Sequence, residues 1–228
     1  MQVGCVICCY GDPAWRDLAY SRAMPSASNQ TARGFDDVFV HYRADATLAE
    51  VRNEGAAALI SAGMDVLVFL DADDELDPGY RMALEPYVQP YGRIVLGSDA
   101  LPAEEQTSEF MPPHLLVPAV QYVREDDGWR QEPRIPQEGQ WPRLNECVIG
   151  TAVSAHLFEQ VGGFREWPSL EDWDLWLRCY DAGARLQYVR DAVYIAHYRQ
   201  AGGGRNVDQS SYQAIWEQHE HRVGYQPQ

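Results

Sequence analysis

Basic residues are scarce in this chain: Lys and Arg together number 18 against 34 Asp and Glu, for a formal charge of −16. A surface that acidic repels a nucleic-acid backbone and an anionic lipid layer, so neither is expected as the main partner. Long apolar runs are missing as well. No segment approaches the ~20 apolar residues of a membrane span, and no basic stretch at the N-terminus leads into a signal-length apolar core. The expectation is a cytoplasmic protein without a transmembrane segment, in a bacterium or an infected host cell. The five cysteines (Cys5, Cys8, Cys9, Cys147, Cys179) have neither zinc-site spacing nor an even disulfide count, so they are expected to be reduced, buried thiols. There is no internal repeat. What remains is a chain of 228 residues, 46% hydrophobic, enough for one well-buried domain.

Within that domain, Asp71-Ala72-Asp73-Asp74 ends the uninterrupted apolar run Val66–Leu70. A buried strand that stops on clustered carboxylates needs a cation or a hydrogen-bonded ligand there, because unpaired anions are costly to desolvate. The neighbouring pattern places that strand. Val3 to Cys9 reads as a first strand closed by Tyr10-Gly11-Asp12-Pro13, and Asp37 to Tyr42 as a second. Thr47-Leu48-Ala49-Glu50 is a capping box that opens a helix to about Ala62, with Leu48, Val51, Gly55, Ala58, Leu59 and Ala62 on one face. Strand, helix and strand in close succession predict a crossover and a parallel sheet, whose ligands bind beyond the carboxyl ends of the strands.

A helix from Pro78 to Val88 and a strand from Arg93 to Gly97 continue the alternation. From Asp99 to Arg143 the helical period disappears. Leu115–Val123 and Trp129–Arg134, flanking Asp126-Asp127-Gly128, predict a β-hairpin inserted over the sheet. After Cys147–Ala155 a short helix ends at Gly162-Gly163-Phe164, and Ser169-Leu170-Glu171-Asp172 opens another. On that helix Trp173, Trp176, Leu177 and Tyr180 form the inner stripe, with Asp174 and Arg178 paired four residues apart. Leu186 to Ala196 is a strand that delivers His197, and Gly202-Gly203-Gly204-Arg205 follows.

Each candidate residue has a structural and a chemical reading. Asp73 can hold Mg²⁺ or Mn²⁺ through oxygen, Asp71 can accept from a ribose, and Asp74 caps the turn; equally, the triplet is an acidic strand-to-helix turn. Asp172 completes a capping box from Ser169, or it is a general base tuned by an apolar surround. His197 ends a strand either as a metal contact or as a hydrogen-bonded terminus. Arg52 and Asn53 reach a nucleotide or face solvent. Arg199 and Arg205 touch phosphate or are loop charges. His219 belongs to a polar terminal helix, where solvation suffices.

Taken in order, Cys9-Tyr10-Gly11-Asp12, Val51-Arg52-Asn53-Glu54-Gly55, Val68–Asp74, Val161-Gly162-Gly163-Phe164, Glu171–Arg178 and His197 resemble the family-two glycosyltransferases of the GT-A fold. The resemblance covers residues 1 to 200. It implies an α/β fold with a mostly parallel Rossmann-like sheet flanked by helices, with the hairpin on the acceptor side. Residues 1–98 would bind the nucleotide sugar, 99–200 would hold acceptor and catalytic groups, and 201–228 would form a Gly-rich loop and C-terminal helix. Donor contacts implied are Tyr10, Asp12, Arg52, Asn53, Asp71, Arg199 and Arg205. Asp73 and His197 would hold Mn²⁺ or Mg²⁺, Asp172 with Glu171 would be catalytic, and Trp173, Gly150 and Thr151 would contact the acceptor, a glycan or protein. The implied reaction is inverting hexosyl or N-acetylhexosaminyl transfer from a nucleoside-diphosphate sugar, UDP-sugar first. Asp45 is displaced from the family's base-reading position. A retaining transferase acting on Ser or Thr, a sugar nucleotidyltransferase and a silent binding module are the alternatives, the second lacking a Gly-rich basic phosphate loop near the N-terminus.

Overall fold

The computed structural model describes residues 1–89, 93–94, 114–198 and 208–219. The chain begins with β1 (Val3–Tyr10), then α1 (Pro13–Leu18), a π turn (Ala19–Ala23) and α2 (Met24–Ser28). Next come β2 (Asp37–Arg43), α3 (Leu48–Ser61), β3 (Val66–Asp71), β4 (Glu75–Leu76) and α4 (Tyr80–Leu84), with a 3₁₀ turn at Glu85–Tyr87. The small pair β5 (Val88–Gln89) and β6 (Arg93–Ile94) precedes β7 (His114–Arg124). Then follow β8 (Val153–Ser154), α5 (Ala155–Gln160), α6 (Glu171–Asp181), β9 (Arg185–Tyr198) and α7 (Gln209–His219).

Two sheets share one apolar core. In the first, β1 lies between β2 and β3, both parallel to it, and β8 adds an antiparallel edge. This is the crossover that the strand, helix and strand pattern predicts. Its helix starts as a capping box should: Thr47 Oγ1 accepts from the Glu50 N–H at 3.2 Å, and Glu50 Oε2 accepts from the Thr47 N–H at 2.8 Å. Gly55 lets α3 lie directly on β1, because a Cβ there would sit 2.6 Å from Val6 Cγ2. The inner face is rotated from the predicted one. Val51, Arg52, Gly55, Ala56 and Leu59 are buried, whereas Ala58 and Ala62 are exposed; alanine is too small to mark a face.

In the second sheet β9 is central, antiparallel to β4 and parallel to β7. The predicted hairpin is present, its arms bonded across the Asp126-Asp127-Gly128 turn, and its first arm has a second role. The first arm is not an excursion over the sheet but a long, largely buried strand of it. Its return pairs antiparallel with it at Val123 with Arg130 and at Val120 with Arg134, and the Arg124 and Gln131 N–H groups bond the Trp129 and Tyr122 carbonyls at 2.8 and 2.9 Å. Pro118 stands where the β7–β9 register shifts, a place that tolerates the missing N–H. Of the predicted strand Arg93–Gly97, Arg93–Ile94 is a strand and the remainder lies outside the described residues.

Helix α7 packs on α6. The Trp173 ring stacks on Tyr212 at 5.0 Å and on Trp216 at 6.2 Å, nearly coplanar with both. His219 is not solvated as expected: it is buried, with Nδ1 2.7 Å from Asp181 Oδ2 and Nε2 3.7 Å from Asp174 Oδ1. All five cysteines are free and buried. Among the described residues no helix is long and apolar enough to cross a membrane.

Candidate functional site

A cavity of about 690 Å³ opens where the carboxyl end of β3 meets the face of the second sheet. Its walls bring together residues far apart in sequence: Asp71, Asp73 and Asp74, then Asn145, then Glu171 and Asp172, then His197. Arg52, Tyr122, Arg134 and Tyr194 also line it.

The Asp71–Asp74 turn is built by its own backbone, the Asp74 N–H bonding to the Asp71 carbonyl at 3.2 Å. Tyr194 locks it to the second sheet, its hydroxyl accepting from the Asp71 N–H at 3.4 Å and donating to Asp74 Oδ2 at 2.7 Å. The other Asp74 oxygen accepts from the His197 N–H at 2.8 Å. Asp74 is therefore buried and fully engaged, a tie between sheets. Asp73 differs. Burial, and then the charge of Asp71, push its carboxyl above the usual range. Two oxygen-donor carboxylates crowded this way suit a small hard divalent cation. Among the described residues no three Asp, Glu, His or Cys side chains converge into a cage. His197 lines the same cavity, but its Nε2 is 2.7 Å from Glu75 Oε2 and its Nδ1 is 3.8 Å from Glu125.

Sequence reasoning missed Arg22. It projects from the π turn, a distortion frequently found at functional sites. It donates to the Asp73 carbonyl at 2.7 Å and pairs with Glu125 at 2.6 Å.

On the opposite wall, α6 begins at Glu171. Leu170 before it holds a left-handed backbone, φ 65°, an uncommon conformation for a non-glycine residue. The capping-box reading of Asp172 fails, because no side chain caps this helix and the Ser169 hydroxyl accepts instead from the Asp208 N–H at 2.9 Å. Asp172 faces the cavity. Its Oδ2 accepts from Asn145 Nδ2 at 3.1 Å and its Oδ1 from the Trp173 N–H at 2.7 Å. Burial, then the adjacent Glu171 charge, push its carboxyl up to about 7, with Arg52 and both hydrogen bonds pulling the other way. A carboxyl with that affinity exchanges protons near neutrality, as a general base must.

Arg52 links the two walls. Its side chain is 2% exposed and donates to Asp71 Oδ1 at 2.7 Å and to Glu171 Oε1, with its guanidinium 5.2 Å from the Phe164 ring centroid. Burial would lower its proton affinity, but Asp71 and Glu171 outweigh that and hold it charged. Its inner-face position rules out the solvent-facing alternative.

Several predicted residues lie elsewhere. Asn53 turns to the Gly163-Phe164 segment, its amide bonding both the N–H and the carbonyl of Phe164 at 2.8 and 2.9 Å. Tyr10 is exposed at the end of β1, and Asp12 caps α1 through the Ala14 N–H; neither lines the cavity. Asp45 pairs with Arg43 at 3.1 Å. The three acceptor residues are not brought to the cavity. Trp173 is turned into the α6–α7 stack, Thr151 is buried and accepts from the Val148 N–H, and Gly150 is buried against Tyr194, with its carbonyl taken by the Tyr80 hydroxyl. Apolar or small residues beside a site are more often its backing than its lining. Arg199 and Arg205 lie outside the described residues.

No protein-family model and no curated protein matches the sequence. Solved structures do resemble the fold. The S. aureus TarS 1-349 structure in complex with UDP-GlcNAc superposes with a TM-score of 0.59 at 11% identity, over 100% of this chain and 68% of that one. TarS 1-349 alone gives 0.53 at 16% identity over 86% of this chain, which spans 60% of that chain. GalNAc-T7 with UDP, GalNAc and Mn²⁺ gives 0.50 at 16% identity, covering 95% of this chain and 48% of that one. At such identities the likeness concerns the fold, which is the GT-A fold, mixed α/β with a mostly parallel central sheet.

Proposed function

We propose that this chain is a nucleotide-sugar-dependent glycosyltransferase, transferring a sugar from a UDP-sugar to an acceptor hydroxyl with inversion at the anomeric carbon. One observation carries the reading: a single cavity has a carboxylate pair at a strand end on one side and, on the other, a carboxyl poised near neutrality. The solved structures that share the fold hold UDP-GlcNAc in one case and UDP with Mn²⁺ in another.

In this mechanism Asp73, with Asp71 beside it, would hold Mn²⁺ or Mg²⁺, which supplies positive charge against the departing diphosphate. Asp71 orients the donor and is itself held by Arg52. Asp172 removes the acceptor proton as the hydroxyl oxygen attacks the anomeric carbon from the face opposite the leaving group. His197 supports the metal side of the cavity. Tyr10, Asp12, Arg199 and Arg205 remain donor-contact proposals, and the acceptor is a glycan or protein hydroxyl.

Thermal-shift screening of UDP-, GDP- and TDP-sugars with Mn²⁺ tests the donor class, and release of nucleoside diphosphate tests the reaction. Stabilisation by a UDP-sugar with UDP release is the expected result. Consumption of sugar 1-phosphate and a nucleoside triphosphate, with release of pyrophosphate, would overturn it in favour of nucleotidyl transfer.

A further inference from the structure

The segment before Gly150 looks irregular in sequence but is closely built. Glu146 is a fully buried carboxylate accepting from the Gln140 N–H, from the Trp141 N–H at 2.6 Å and from the Tyr188 hydroxyl. Those bonds fix residues 140–146 onto β9, which carries Tyr188. A buried charge must be paid off by such partners, so the loop has little freedom to move while they stay bonded. The residue that this anchoring presents to the cavity is Asn145.

Both ends of the Asn145 amide are committed. Oδ1 accepts from the Cys147 N–H at 3.1 Å, and Nδ2 donates to Asp172 Oδ2 at 3.1 Å. The Cys147 N–H can only donate, so the amide oxygen must face it and the NH₂ must face Asp172. We infer that Asn145 is the positioning residue for Asp172, fixing the carboxylate towards the cavity and favouring its ionised form. The role of Asp172 as base rests on the function proposed above; the coupling between Asn145 and Asp172 stands on the geometry.

The favouring has a simple cause. A donor hydrogen bonds a carboxylate more strongly than a carboxylic acid, so it opposes protonation. Burial and Glu171 push the other way. Asn145 thus keeps a base in a carboxylate-rich wall from being protonated too far above neutrality to serve.

The test is a ¹³C carboxyl NMR titration of the full chain, with the Asp172 signal assigned by its loss in Asp172→Asn. In Asn145→Ala the Asp172 midpoint should rise by about one pH unit. In Asn145→Asp, which keeps the acceptor for Cys147 but sets a second carboxylate against Asp172, it should rise further. An unchanged midpoint in both variants, with the fold retained by circular dichroism, overturns the inference. In the transfer assay the same shift gives about a tenfold lower rate at pH 6, with the rate regained near pH 9 and donor KM unchanged. A uniform loss at every pH would indicate a merely structural role. If Asp172→Asn keeps full transfer activity, the base assignment fails, while the titration still decides the coupling.

Discussion

Replacing Arg52 with Met removes the cation that joins the donor wall to the base wall while keeping an unbranched apolar stem in its place. Two charge-assisted hydrogen bonds are lost, each about 1.5–3 kcal/mol. Asp71 is 34% exposed and can recover water, but Glu171, at 16%, is largely cut off from it, so the penalty falls mainly on Glu171. Removing one partner of a buried pair costs about 3–5 kcal/mol, and the partial exposure of Asp71 and the packing of Met reduce this to about 3 kcal/mol. For a chain of this size that is a fall in Tm of roughly 6–12 °C. A second readout is independent of the first. Arg52 also draws down the Asp172 carboxyl, so without it the titration midpoint should move above about 7. Urea unfolding and the pH profile of donor turnover measure the two effects. Arg52→Lys keeps the charge but not the planar fork, and should show an intermediate Tm and a much smaller change in midpoint. A Met variant within about 1 kcal/mol of the parent in urea unfolding, with an unmoved pH midpoint, would refute the idea that one guanidinium organises both walls.

Asp73→Ala should abolish the effect of Mn²⁺ on donor affinity in calorimetry; a metal-dependent affinity that survives would remove Asp73 from the metal site. Asp172→Asn should bind donor normally and transfer nothing. It should also change stability with pH in a defined sense: the folded-state pKa is raised from 3.8 to about 7, so the parent loses stability as pH climbs through that window and the Asn variant does not. The variant's relative stability should grow up to about pH 7 and level off above, as read by Tm across the range. Gly150→Ala places a Cβ 2.2 Å from Tyr194 Cδ2, and overpacking of that kind should cost about 1–3 kcal/mol in urea unfolding. His219→Ala opens a cavity between α6 and α7 and removes the imidazole contact to Asp181, for a loss of about 2–4 kcal/mol by the same measurement.

Which of these residues were legible in sequence follows from where their partners sit. Thr47 and Glu50 are three residues apart, so their capping box is written in one turn of chain. The apolar run into Asp71 announces a buried strand by itself. Asp172 was singled out through the block around it, yet its local cap reading was wrong because Ser169 is claimed by the distant Asp208 N–H. Arg52 bonds a residue 119 positions away, and Asn145 one 27 positions away. Periodicity reports which side of a helix turns inward but not what waits across the gap. Arg52 on the inner face of α3 was therefore open between a nucleotide contact and solvent, and His219 looked solvated, until both carboxylate partners were in view. The parallel pairing of β7 with β9 was hidden for a related reason: the Asp126-Asp127-Gly128 turn is real, but a strong local turn does not say which neighbour its first arm prefers.

Residues 72–74 span the gap between two separately registered ladders, with Asp71 opposite Cys8 in the first sheet and Glu75 opposite Ile195 in the second. Chain length there is consequently as constrained as chain chemistry. One inserted residue would set slipping β3 against β1, which repacks a strand buried on both faces, against sliding β4 off β9. Insertion or deletion between Asp71 and Glu75 is therefore disfavoured whatever the inserted side chain. In any library built on this scaffold, variants that change the length of this segment should be the ones missing from the folded fraction.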